Sequence, residues 1–139
     1  MTALVHRSML ERLGRPTSPG DLGRYGALYA ASAPDDWRDW LRAASSDAPP
    51  PAPSQTYDTR ELVMQVILQG AGVGIVERSA FSAELASGEL VQPFDTAMET
   101  GWSYWLATPA NSGPSPVMQR FAEWLNDEAQ VARSAIPTT

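Results

Sequence analysis

Cysteine is absent from this chain of 139 residues, and histidine occurs once, as His6. Without cysteine the chain has neither a disulfide nor a thiol nucleophile. One histidine cannot build a zinc site of the usual His/Cys type, and a Ser-His-Asp triad would have to use His6. No serine stands in a G-x-S-x-G motif either. A small hydrolase using Ser and Asp is therefore the least favoured function, and we expect no enzymatic activity, no metal and no cofactor.

Lysine is also absent, so all ten basic residues are arginines, and they are scattered singly along the sequence. The formal net charge is −6 at pH 7. Binding to the backbone of a nucleic acid requires clustered positive charge. We therefore expect that this chain makes no direct contact with nucleic acid.

Long hydrophobic runs are missing as well. No stretch of eighteen apolar residues occurs, so the sequence predicts no membrane span and no membrane contact. The first ten residues lack an apolar segment long enough for a signal peptide. These absences favour a cytoplasmic protein. The 43% of hydrophobic residues, with five tryptophans, are enough for one packed core, either a domain or part of one.

The most informative segment is the glycine-rich stretch Gln69–Glu77. Its G-x-G-x-G pattern suggests a nucleotide-binding loop, but such a loop follows a strand and opens a helix, where free N–H groups meet the phosphate. Here the order is reversed. We predict a helix over Leu62–Leu68, a stop at Gly70 and a strand over Val73–Val76. The segment therefore predicts a turn from a helix to a strand.

Strands and helices alternate along the chain, which predicts an α/β fold with a largely parallel sheet. Further strands are expected at Gly26–Ala30, Glu89–Val91 and Trp102–Ala107. Further helices are expected at Ser8–Leu13, after Thr17–Leu22, from Pro34, at Ser79–Ala86 and over Val117–Leu125. In the helix from Pro34, the residues Asp35, Asp36 and Asp39 suggest either a carboxylate site or a solvated helix start, and we favour the second. The Pro-rich segment Ser45–Pro53 is interpreted as a stiff loop, although a polyproline recognition segment has the same composition.

Tyr57, Asp58, Thr59 and Arg60 form the first candidate site, between the end of a strand and the start of a helix. In open α/β sheets, ligands lie beyond the carboxyl ends of strands and near helix N-termini. Thr59 can donate a hydrogen bond to a ligand carboxylate, and Arg60 can supply positive charge. The alternative is structural, with Asp58 as the helix cap and Glu61 reaching back to it as in a capping box.

An ordered series of segments resembles the effector-binding domain of the LysR-type transcriptional regulators. The resemblance is strongest to the branch that holds the glycine-cleavage activator and the chromosomal β-lactamase regulator. It covers roughly residues 7 to 129, and it depends on the order of the segments because no single motif is specific. The matching segments are Pro19–Leu22, Asp36–Leu41, Gln69–Glu77, Leu85–Phe94, Gly101–Leu106 and Val117–Leu125.

The resemblance implies a periplasmic-binding-protein fold of type II, present here as an incomplete effector domain. Residues 1–100 would form the second regulatory subdomain, and residues 101–139 the crossover strand and C-terminal helix of the first. The winged helix-turn-helix, the linker helix and the first half of the effector domain have no counterpart in this chain. In the family, the turn at Tyr57–Arg60 lines the effector cleft. Tyr104 on the aromatic strand would face the same cleft, with Trp105 in the core.

The function implied is the ligand-sensing portion of a DNA-binding transcription factor, with a small anionic metabolite as its effector. The alternative from another class is a truncated interaction module that pairs with a full-length regulator. Four residues of the C-terminal helix, Val117, Phe121, Trp124 and Leu125, share one apolar face. In the family this face packs on a sheet that the present chain does not contain. We therefore expect self-association, and hence an oligomer, through this helix, because exposed apolar patches mark interaction surfaces.

Overall fold

The computed structural model describes residues 1–101, 105–107 and 115–134, with the side chains of the last helix described as far as Val131. The chain divides into two compact units, Met1–Thr100 and Gly101–Thr139. The first unit contains β1 (Thr2–His6), α1 (Arg7–Leu13), β2 (Ala27–Ala30), α2 (Asp36–Ala43), β3 (Pro53–Tyr57), α3 (Arg60–Leu68), β4 (Val73–Val76), α4 (Ser82–Ser87) and β5 (Leu90–Val91). Two 3-10 helices, Pro19–Tyr25 and Arg78–Phe81, complete it. The second unit contains α5 (Pro116–Ser134).

The five strands form one mixed sheet in the order β3-β2-β4-β1-β5. The strand β2 pairs in parallel with both β3 and β4, whereas β1 pairs antiparallel with both β4 and β5. The α/β class is confirmed, but the expectation of a largely parallel sheet is wrong for half of the pairs. The difference is due to β1, which the sequence pattern did not reveal. Its place between β4 and β5 depends on pairing with residues far away in the sequence, such as Thr2 with Val76.

Two β-α-β units build the parallel part of the sheet and place helices on both of its faces. The connection from β2 to β3 runs through α2, and the connection from β3 to β4 runs back through α3. Right-handed crossovers in opposite directions put the two helices on opposite faces. One buried cluster joins α1, α2 and the first 3-10 helix to the sheet, and the second joins α3 and the second 3-10 helix to it. Residues 1–100 therefore form three layers, with the sheet between two layers of helices.

The glycine-rich segment turns the end of α3 into β4, as predicted. Gly70 adopts a φ of 66°, in the left-handed region, and its N–H donates to the Ile67 carbonyl at 2.9 Å. Gly74 lies on β4 beneath α3, where an added Cβ would stand 2.6 Å from Cγ1 of Val63. The glycines thus permit the turn and the close packing of helix on strand. They form no phosphate cradle at a helix N-terminus.

The tryptophans of α2 anchor that helix to the first face of the sheet. The helix begins at Asp36 with Asp35 as its N-cap, two residues after the predicted start. Trp37 and Trp40 are 1% and 0% exposed. The indole N–H of Trp37 donates to the Leu28 carbonyl at 3.0 Å, which ties α2 to β2. The start of α2 is therefore fixed relative to the sheet.

The second unit differs from the sequence expectation in three respects. Residues 105–107 belong to no strand, so the prediction of a strand over Trp102–Ala107 is wrong for the part that the structure describes, and residues 102–104 lie outside it. The helix α5 spans Pro116–Ser134 and so continues beyond the predicted segment Val117–Leu125. Trp105, expected in the core, is 89% exposed. The assignment of this unit to the first regulatory subdomain stays a prediction.

Candidate functional site

The connections that follow β2 and β3 lie side by side at the carboxyl end of these parallel strands. The Ala31 N–H donates to the Tyr57 carbonyl at 2.7 Å, and the Ser32 N–H donates to the Asp58 carbonyl at 3.1 Å. These two bonds extend the pairing beyond the strands themselves. They bring the start of α2 next to the start of α3. We call the region formed by residues 31–36 and 57–61 the α2/α3 edge.

At this edge Tyr57 is partly buried and Asp58 is exposed. The Tyr57 ring packs partly buried against the apolar cluster under α3, and its hydroxyl donates to the side-chain carbonyl of Gln55. The Asp58 side chain is exposed, while its backbone carbonyl is engaged by Ser32. The side chain of Tyr57 therefore supports the edge, and that of Asp58 faces solvent.

The N-cap of α3 is Thr59, so the prediction that Asp58 caps this helix is wrong. Thr59 has extended backbone angles, φ −130° and ψ 161°, and its side chain makes no cap bond to the helix. A hydrogen bond from the Thr59 side chain is the main reason that the pKa of Glu61 is lowered, and the N–H of Glu61 itself is the second. Because the helix starts at Arg60, Glu61 is the second residue of the helix and lies too early for a capping box.

A helix leaves its first backbone N–H groups without partners inside the helix. In α3 the first bond of the helical series runs from Val63 N–H to the Thr59 carbonyl, at 3.4 Å. Among the described residues, the N–H groups of Arg60 and Leu62 have no acceptor. These groups carry the positive end of the helix dipole, so an anion or a carbonyl oxygen would be stabilised beside them.

Arg60 is held by an ion pair that the sequence analysis missed. Its Nε and Nη2 donate to the two carboxylate oxygens of Asp36, each at 2.7 Å. The Asp36 side chain is 14% exposed and the Arg60 side chain 36%. The hydrogen bond to Asp36 is also the main cause that raises the pKa of Arg60, against a smaller lowering by desolvation. The guanidinium is therefore a fixed and partly neutralised cation.

Asp36 differs from the other two acidic residues at the start of α2. Asp35 is bonded to Arg38 and Asp39 to Arg42, both within the helix and both exposed. These two pairs fit the predicted solvated helix start. Asp36 instead crosses to a second helix, 24 residues away. The only local signal was an acidic residue in the first turn of a helix that follows a parallel strand.

Two further carboxylates, one outside the α2/α3 edge, also act on the guanidinium of Arg60. Besides Asp36, the carboxylates of Glu61 and Glu77 raise the pKa of Arg60 by Coulombic attraction. Three carboxylates thus act on one cation. That Arg60 supplies positive charge to a ligand stays a prediction, and in the structure this charge is paired with Asp36.

Of the five predicted site residues, the structure brings four together, from Tyr57 to Arg60. The fifth, Tyr104, lies outside the described residues. No group of three or more His, Asp or Glu side chains within the described part of the chain is arranged to hold a metal ion. In the same part, no helix has the length and apolar character that crossing a membrane requires.

The single histidine serves as a helix cap. Nδ1 of His6 accepts from the Ser8 backbone N–H at 3.2 Å and lies 2.7 Å from the Ser8 hydroxyl. Nε2 of His6 lies 3.8 Å from a carboxylate oxygen of Glu89. Ser8, His6 and Glu89 thus contact one another in series, as the members of a catalytic triad do. Ser8 and His6 are only two residues apart, however, and their contact caps the N-terminus of α1. The cap accounts for this arrangement without any catalytic role.

Comparisons with known sequences identify one family. The family described as LysR substrate binding domain matches residues 1–130. The HTH-type transcriptional activator AmpR of Pseudomonas aeruginosa is 35% identical over 115 residues, which are 82% of this chain and 38% of that protein. AmpR of Enterobacter cloacae is 33% identical over 111 residues, 78% of this chain and 37% of that protein. The chain therefore matches less than two fifths of the length of these relatives.

Two solved structures have the same fold. The effector domain of the transcriptional regulator AmpR of Pseudomonas aeruginosa superposes with a TM-score of 0.76 at 32% identity, covering 96% of this chain and 63% of that one. The AmpR effector binding domain of Citrobacter freundii superposes with a TM-score of 0.74 at 24% identity, again covering 96% and 63%. The expected resemblance and the expected fold of an incomplete effector domain are thereby confirmed.

Proposed function

We propose a function from one premise: this chain belongs to the family of LysR substrate binding domains. It is the effector-binding portion of an AmpR-like transcriptional regulator, and it binds a small anionic metabolite. The α2/α3 edge forms one wall of the effector cleft. In this proposal residues 101–139 belong to the first regulatory subdomain, and Tyr104, which lies outside the described residues, is a further effector contact.

The observation that carries the proposal is the meeting of two helix starts at the carboxyl end of two parallel strands. This is the position at which open α/β sheets bind ligands. The bonds from Ala31 to Tyr57 and from Ser32 to Asp58 hold the two connections in register. The edge is therefore formed by the fold itself and does not require a ligand to assemble it.

Each polar group at the start of α3 has a role in this proposal. The N–H groups of Arg60 and Leu62 donate to an oxygen of the ligand. The Thr59 hydroxyl, which lowers the pKa of Glu61 in the free protein, turns to a ligand carboxylate in its place. Arg60 contributes the N–H groups that point away from Asp36. Asp58 lies at the rim and Tyr57 beneath it.

The test is isothermal titration of the full chain with a panel of small carboxylate metabolites. Replacing Thr59 and Arg60 together by alanine should weaken the binding of any hit by roughly 1 to 3 kcal/mol, the range for charge-assisted hydrogen bonds. Arg42→Ala is the matched control, because Arg42 is exposed and pairs only with Asp39 among the described residues. Unchanged affinity in the double variant would leave Thr59 and Arg60 as helix-start residues without a role in binding.

A second candidate function is an interaction module that pairs with a full-length regulator. The exposed side chains on one face of α5 favour it: Val117 is 76% exposed, Phe121 50% and Trp124 54%. Such a patch gains stability when a partner covers it. In this proposal the same face also supports self-association of the chain. Gel filtration with a full-length AmpR-like regulator distinguishes a mixed complex from a homo-oligomer.

A further inference from the structure

Asp36 is the least exposed acidic side chain at the α2/α3 edge, and it approaches Arg60 from a different helix. Its carboxylate oxygens accept from Nε and Nη2 at 2.7 Å each, so the contact is bidentate. A bidentate pair fixes the plane of the guanidinium as well as its position. The indole of Trp37, the next residue, is bonded to β2 at 3.0 Å, which fixes Asp36 relative to the sheet.

A guanidinium carries five N–H groups in one plane. Asp36 occupies the side formed by Nε and Nη2. The Nη1 group and the second N–H of Nη2 form the other end of the plane, and no acceptor for them is found among the described residues. Asp36 therefore decides which direction the remaining donors of Arg60 can face.

The pair also decides how much charge a ligand meets. A lone guanidinium attracts any anion, whereas a guanidinium bonded to Asp36 and close to Glu61 and Glu77 has its charge offset. An oriented donor whose positive charge is offset selects its ligand by the direction of its hydrogen bonds. A neutral carbonyl oxygen then competes closely with a carboxylate oxygen.

We propose that Asp36 is a positioning and specificity-determining residue of the α2/α3 edge: it aims the free donors of Arg60 and cancels the charge preference that Arg60 alone would impose. This inference rests on the proposed function, because it assigns Asp36 a role in the same ligand site. It predicts that the wild-type edge distinguishes a carboxylate from a carboxamide of equal shape only weakly. Without the Asp36 charge, the edge prefers the carboxylate.

The test uses acetate and acetamide as isosteric probes, with the full chain and two variants. Binding is followed by the amide shifts of Thr59, Arg60 and Glu61 in ¹H–¹⁵N NMR spectra. Asp36→Asn keeps the size of the side chain and removes its charge, and Asp39→Asn is the matched control on the exposed side of α2. We expect the ratio of acetate to acetamide affinity to rise about tenfold in Asp36→Asn, as for removal of one partly screened negative charge on the far side of the guanidinium. It should stay unchanged in Asp39→Asn.

A second variant makes the test independent of how well Asp36→Asn folds. Arg60→Gln leaves the surrounding carboxylates without their cation, so the ratio should fall below that of the wild type by about tenfold. Acetate and acetamide shifts at the edge, with the same ratio in the wild type and in both variants, would overturn the role of Asp36 and leave the ligand site intact. Absence of any shift at Thr59–Glu61 in every protein, even at high probe concentration, would contradict the site itself and the role of Asp36 with it.

Discussion

Helices α2 and α5 carry the same apolar spacing and have opposite surroundings. In each helix three large apolar residues stand at positions i, i+3 and i+4. They are Trp37, Trp40 and Leu41 in α2, and Phe121, Trp124 and Leu125 in α5. In α2 all three are at most 2% exposed, whereas in α5 they are 37% to 54% exposed. The same sequence pattern thus gives a buried anchor in one unit and an open face in the other.

The difference in exposure between α2 and α5 shows what an amphipathic pattern determines and what it leaves open. The spacing determines that a helix forms and which face of it is apolar. What covers that face depends on residues far away in the sequence. The partners of α2 come from β1, β2 and β4, which are assembled by the sheet. An uncovered large side chain forgoes about 1.5 to 3 kcal/mol of burial, so covering the face of α5 would be favourable.

The largest expected effect is the difference in stability loss between two tryptophan truncations, one in each helix. Trp40→Ala removes a ring that is 0% exposed and should lower the free energy of unfolding by about 3 to 5 kcal/mol, because it leaves a cavity. Trp124→Ala should change it by no more than about 0.5 kcal/mol in dilute protein, as is usual at surfaces. Urea unfolding followed by circular dichroism measures both. Equal losses would mean that the face of α5 is buried within one chain and would remove the contrast between the helices.

The second effect concerns association. If the face of α5 is an interface, Phe121→Glu combined with Trp124→Glu should convert an oligomer into a monomer, because two charges would be buried in an apolar contact. Analytical ultracentrifugation at several concentrations measures the change. Glu123→Gln is the control on an exposed position of the same helix. A wild-type chain that sediments as a monomer at all concentrations would refute self-association through α5.

The smallest expected effect on stability comes from the hydrogen bonds at the starts of helices in the two units. In the first unit, the Asp21 carboxylate accepts from the Thr17 N–H and hydroxyl at 2.8 Å and from the Ser18 N–H at 2.9 Å. Hydrogen bonds from Thr17 and then Ser18 lower the pKa of Asp21 to about 2. In the second unit, the corresponding bond at the start of α5 runs from Met118 N–H to the neutral Ser115 hydroxyl at 3.3 Å.

Of these two helix starts, only the one that uses the Asp21 carboxylate contributes a stability that depends on pH. A folded pKa below the unfolded value means that the contribution of Asp21 is fully present above about pH 4 and is lost as the pH falls through about 2. Asp21→Asn should therefore be less stable than the wild type at pH 7, and the difference should close in that window. Ser115→Ala should show a small loss that is the same at pH 7 and pH 3. A difference for Asp21→Asn that persists at pH 2 would contradict the assigned cause.

The elements that could be predicted from the sequence are those specified by neighbouring residues. The turn from α3 through Gly70 to β4 was predicted correctly because a helix stop and a β-branched run are local signals. The strand β1 was missed because its position depends on strands at the other end of the first unit. The Asp58 cap was wrong by one residue, since Asp and Thr are both good N-caps and the pattern does not choose between them.

The candidate site shows the same division. The sequence placed Tyr57–Arg60 between a strand and a helix, and the structure confirms that position. The sequence did not reveal the pairing of Arg60 with Asp36, because the two residues meet only when β2 and β3 lie side by side in the sheet. A charged residue at a helix start can thus be located from the sequence, but its electrostatic state depends on the fold.

The central claim is that the α2/α3 edge is the wall against which the effector binds. Its most direct test is a map of amide shifts in the full chain during titration with a carboxylate metabolite that binds in the calorimetric panel. We expect the largest shifts to cluster at residues 31–33 and 59–62, on the two connections that the Ala31 and Ser32 bonds hold together. Largest shifts at the opposite end of the sheet, around Arg7 and Gly88, with none at residues 59–62, would contradict it.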